Sequence, residues 1–127
     1  MPRISIWFFS VAVIYSLIGM GWGEHMAMSG DHSMYPAHAH LNLLGWVSMA
    51  IFGTFYALAR DSYSPRLAWI QFALSNLGTI IMITLLARLL ATNDESLGPL
   101  VGIGDILTIL GQLVFGWQVI RAARAST

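Results

Sequence analysis

All four histidines of the chain fall in one short stretch: His25, His32, His38 and His40. Neutral imidazole is a good ligand for iron, copper and zinc, so this clustering is where chemistry is expected. His38 and His40 form an H-x-H with only Ala39 between them. On a helix, residues two apart point about 200° from each other, so the two rings serve opposite faces and do not readily chelate one ion together. Asn42 lies four residues after His38 and shares its face. Gly45 and Gly53 further along allow another helix, or a flat ligand, to come close. The bland alternative is a pair of surface histidines bonded to water or backbone. The preceding stretch, from Glu24 to Met34, places His25 and His32 among Met26, Met28 and Met34. Imidazole beside thioether suits copper, Cu(I) especially; the alternative here is a flexible polar loop whose methionines touch an interface.

Two charges sit deeper in apolar sequence, Arg88 and Asp105. They either pair with each other, or Arg88 holds an anionic group of a ligand bound near the histidines. Asp105, Thr108 and Gln112 follow helical spacing and form one polar stripe, which Gln71 and Asn76 are expected to face. No nucleophile–base arrangement, phosphate loop or paired-carboxylate motif is present. The chain has no cysteine, which excludes disulfides, thiolate metal sites and cysteine nucleophiles. Its net charge is zero, which gives no electrostatic case for nucleic acid.

These residues ride on a very apolar chain. Of 127 residues, 57% are hydrophobic and 9% charged, against roughly a quarter charged in a soluble domain. Too little charge is available to cover a water-facing surface, so lipid is expected to cover it. Four apolar stretches run from about Ile4 to Trp22, His38 to Ala59, Leu67 to Ala91 and Pro99 to Ile120. Each reaches or approaches the roughly 20 residues that cross a hydrocarbon core of about 30 Å. The reading is all-α: residues 1–127 form a single four-span integral membrane domain. Arg3 before an apolar run also fits a signal peptide, but no small-x-small cleavage site follows, so a retained span is expected. Arg3, Arg60, Arg66, Arg121 and Arg124 lie at the termini and the middle connection. The other two connections hold Glu24, Asp31, Asp94 and Glu95. The positive-inside rule then puts both termini in the cytoplasm and the histidine-rich stretch outside. Trp22, Trp69 and Trp117 near the span ends fit an interface belt.

The run His38-Ala39-His40-Leu41-Asn42-Leu43-Leu44-Gly45-Trp46, continued by Phe52-Gly53-Thr54-Phe55-Tyr56, resembles the haem-copper oxidase superfamily, subunit I. In particular it is similar to short bacterial membrane proteins that are like that subunit. The likeness implies a four-helix protomer resembling one four-span arc of the oxidase subunit. It implies that His38 corresponds to the high-spin haem ligand and His40 to the low-spin one, with Arg88 as a looser match to a basic residue beside haem propionates. No other span carries a histidine, and the oxidase copper helix's histidine–tyrosine pair is missing. The expected role is therefore binding, with electron transfer, and not oxygen reduction.

Four expectations follow. The chain forms a homo-oligomer, a trimer in preference to a dimer, because Asn42, Gln71, Asn76 and Gln112 would otherwise lack partners in lipid. It binds haem b between adjacent protomers, through His38 and His40, with Asn42 and Arg88 at the site. Alternatively it is a copper or zinc protein without haem, using His38, His40, His32, His25 and Met28. In a third reading it is a structural or assembly subunit with a respiratory-chain partner.

Overall fold

The computed structural model describes residues 1–127. The chain forms four long helices and no strand. Helix α1 spans Arg3–Ser29, α2 Tyr35–Leu58, α3 Pro65–Thr92 and α4 Gly98–Ala125, with a short 3-10 turn at Glu95–Leu97 before the last. All four are long and apolar enough to cross a membrane. They run alternately up and down, so the α1–α2 and α3–α4 connections share one end, here the histidine end. Five of the six arginines lie at the other.

Local chemistry explains the boundaries. Helix α1 runs past Trp22 to Ser29, because Glu24–Met28 are helix-compatible and no proline interrupts them. Gly30 ends it in the left-handed region, φ 71°, with its N–H donating to the Met26 carbonyl at 3.0 Å. The stretch expected to be a loop from Glu24 is therefore helical up to Ser29. Pro36 opens α2 and Pro65 opens α3, each in the first turn where a missing N–H costs nothing. The Ser64 hydroxyl caps α3 by accepting from the Leu67 N–H. Asn93, at φ 53°, ends α3, and Asp94 accepts from the Ser96 N–H to start the turn into α4.

Packing is closest where side chains are smallest. A Cβ on Gly78 would lie 2.7 Å from the Thr108 backbone nitrogen, and one on Gly104 would lie 2.6 Å from that of Met82. Gly111 faces Ser75, whose hydroxyl takes the space a Cβ would need and whose backbone nitrogen lies 3.2 Å from that position. Helices α3 and α4 are thus locked at backbone distance, as small residues permit. Gly45 receives the Tyr15 ring and Gly53 the Phe9 ring and Ser5 backbone, which brings α1 onto α2. Near the arginine end the four helices meet in an aromatic cluster. Phe8 of α1 lies 5.5 Å from Phe52 and 5.0 Å from Phe72 between ring centres, and Phe52 lies 4.7 Å from Phe115 of α4. Such pairs add about 0.5–1.5 kcal/mol each beyond burial.

The buried polar groups pair across helices. Tyr15 Oη donates to Asn76 Oδ1 at 2.9 Å, and Tyr56 Oη donates to Gln71 Oε1. Gln118 of α4 accepts from the Ser64 N–H and donates to the Ser64 carbonyl, at 3.0 and 2.8 Å. Gln71 and Asn76 therefore face tyrosines of α2 and α1, not the α4 stripe as expected. Of the four polar groups thought to need a second chain, Asn42, Gln71 and Asn76 bond within their own; Gln112 is exposed. The packed bundle leaves Gln112 and the Gln71 Nε2 as the groups of this set without a partner in the chain.

Helix α4 is the least covered element. Only 11% of its apolar stretch is buried, against 33–39% for the other three.

Candidate functional site

His38 and His40 sit in the first turns of α2 and point to different surroundings, as their spacing requires. His38 is half-buried against α1. Its ring lies edge-on to Trp22, 6.5 Å between centres, and over Gly23, where a Cβ would come within 3.1 Å of Cε1. The Asn42 side-chain N–H donates to His38 Nε2 at 3.1 Å. The ring proton is then on Nδ1, which is buried and has no acceptor. Asn42 in turn fits because Gly19 opposite has no side chain: a Cβ there would overlap Asn42 Oδ1. The shared face of His38 and Asn42 is thus a contact between α1 and α2.

His40 is exposed. Its Nδ1–H donates to the Pro36 carbonyl at 2.7 Å, one turn back. This bond fixes the tautomer and leaves the Nε2 lone pair free and directed away from the backbone. A histidine ligand is commonly oriented in this way, with the other ring nitrogen held by a carbonyl or carboxylate.

Immediately after His40 the helix widens. Residues Leu41–Val47 adopt π-helical spacing, and the Ser48 N–H and hydroxyl both reach the Leu43 carbonyl, five residues back. The extra residue rotates the histidine turn relative to the lower half of α2. Segments of this kind are rare and often mark functional sites. Nothing in the residues from Leu41 to Val47 signals π-helical spacing, and it was not expected.

The remaining candidates are dispersed. His25 and Met28 lie on the last turns of α1, both exposed, Met28 to 80%. Met26 points inward and is buried. His32 lies in the connection with its Nδ1 on the Gly30 carbonyl at 3.1 Å. Asp31 is held below the usual carboxylate range by the Ser33 N–H and, next, the Ser33 side chain, so the connection keeps its negative charge.

Arg88 and Asp105 are both exposed and form no ion pair with each other. The chain's one ion pair joins Arg60 to Asp61, at 3.9 Å and on the surface. The salt bridge considered for Arg88 and Asp105 is therefore absent, because the Gly78–Gly104 crossing sets the rotation of α3 and α4. Arg88 also makes no hydrogen bond or ion pair with His38, His40 or Asn42. Its positive charge instead helps to lower the carboxyl pKa of Asp94, after the Ser96 side-chain and backbone bonds that dominate that shift.

Fold and site together define an all-helical protein of four apolar, membrane-length helices with two exposed histidines near one end that are held through Nδ1 by a backbone carbonyl, His32 in the connection and His40 on α2. No protein-family model, curated protein or solved structure matches the chain.

Proposed function

We propose that the chain is a multi-pass membrane protein that binds haem b at its histidine end, with His40 as the axial ligand, and that it passes electrons. One observation carries this reading: the His40 ring is oriented by the Pro36 carbonyl and presents a free Nε2 on an exposed surface. That environment fits a haem ligand supplied to a group lying outside the single chain. His38, as packed, fits a different role, because Asn42 already occupies its Nε2 and α1 covers the ring. The resemblance of the H-x-H run to haem-copper oxidase subunit I supplies the choice of haem over a bare metal ion. Bound haem would contribute a reversible one-electron change. His40 would hold it, and a second copy of the chain would provide the opposite face. Arg88 belongs to the same end, where its exposed guanidinium is available to a propionate in a charge-assisted contact. The arginine distribution, read by the positive-inside rule, supports an orientation with the histidine end outside and both termini in the cytoplasm of a bacterial inner membrane.

The test is a titration of haem into the detergent-solubilised chain, followed by absorption. A Soret shift that saturates at a fixed ratio of haem to chain is expected. A shift that grows without saturation, as in empty micelles, counts against the proposal.

A further inference from the structure

Near the middle of the helices, α2, α3 and α4 line a small, partly open cavity of about 20 Å³. Five of its lining residues are polar: Ser48 on α2, Ser75 and Thr79 on α3, and Thr108 and Gln112 on α4. Such a concentration of hydroxyls is unusual in so apolar an interior. Thr79 is 1% exposed, and its Oγ1 has no hydrogen-bond partner. Two of the other hydroxyls have spent their protons on backbone: Ser48 Oγ donates to the Leu43 carbonyl and Thr108 Oγ1 to the Asp105 carbonyl. Each keeps lone pairs that can accept. Thr79 retains both a proton to give and lone pairs to share.

We infer that one ordered water molecule occupies this cavity and joins α2, α3 and α4 through Thr79. The size is right, since a site needs about 10–15 Å³ of such room to hold a water. The chemistry is right, because a water needs two to four polar partners and can both donate to Ser48 or Thr108 and accept from Thr79. No acidic or basic side chain lines the cavity, so a neutral molecule suits it better than an ion. The water would satisfy the Thr79 hydroxyl, which is buried and unpaired within the chain. It would also give α4, the least covered helix, a polar tie to its neighbours.

The sign of one substitution tests this. Thr79→Val keeps the shape and removes the hydroxyl. If the cavity is dry, the change deletes an unsatisfied polar group and the melting midpoint in detergent stays the same or rises. If water is bound, the variant removes one of its partners, and the midpoint falls by several degrees. The fall is expected, together with near-wild-type melting for Thr79→Ser, which retains the hydroxyl. Thr79→Val and Thr108→Val combined should cost less than the sum of the two singles, because both act on the same molecule. An unchanged or raised midpoint for Thr79→Val, or strict additivity in the double variant, overturns the inference.

Discussion

Gly104→Leu will lower the melting midpoint of the solubilised protein more than any other single substitution on α4. The new Cβ would lie 2.6 Å from the Met82 nitrogen and 2.9 Å from the Gly78 carbonyl oxygen. Both are backbone atoms of α3, so no side chain can swing aside to admit it. Overpacking commonly costs about 1–3 kcal/mol, and here three further atoms must also be placed in the same crossing. The control is Gly116→Leu on the same helix, where an added Cβ meets nothing within 4 Å. That change should be neutral or slightly stabilising, since glycine in a helix interior is worse than alanine by about 1 kcal/mol. Equal melting of the two variants would show that α3 and α4 do not cross as described.

His40→Ala will release haem, and His38→Ala will not. The two histidines are separated by one residue but differ in what surrounds them. His40 offers a free Nε2, so its loss removes the ligand itself. Retention should fall by more than the roughly 10–100-fold typical of losing an outer-shell partner of a metal ligand. His38 holds the Asn42 amide and fills the space over Gly23. Its loss should lower the melting midpoint by loosening α1 from α2 while leaving haem content close to that of the parent. The measurement is haem per chain and melting midpoint for both variants side by side. The reverse pattern, with haem lost from His38→Ala and kept by His40→Ala, would transfer the ligand role to the buried ring.

That these histidines face opposite sides was legible in the residues, because it depends only on helical geometry; that His38 is packed and His40 open was not. A separation of two sends side chains to opposite faces, and a separation of four brings Asn42 beside His38. The four long helices were legible too, since each contains a long, predominantly apolar run. What lay beyond reach depends on how helices meet. The π-helical turn at Leu41–Val47 sits in a mostly apolar run, broken by Asn42 and Gly45, whose composition carries no signal specific to π-helical spacing. The Arg88–Asp105 pairing looked reasonable by depth, yet depth says nothing about rotation. Rotation is set by Gly78, Gly104 and Gly111, whose role appears only once α3 and α4 are docked. The bonds of Tyr15 to Asn76 and of Gln118 to Ser64 likewise join residues more than 50 positions apart. No spacing rule reaches that far. The length of α1 was underestimated for a simpler reason: polarity at Glu24 and His25 ends an apolar run, but it does not end a helix.

The central claim is that the open histidine carries iron in a haem. Its most direct test is the absorption spectrum and metal content of the protein purified from membranes of haem-replete cells. The account predicts a Soret band, with iron in fixed proportion to chain and extractable as haem b. Purified protein that lacks the band, and carries copper, zinc or no metal in place of iron, would contradict it.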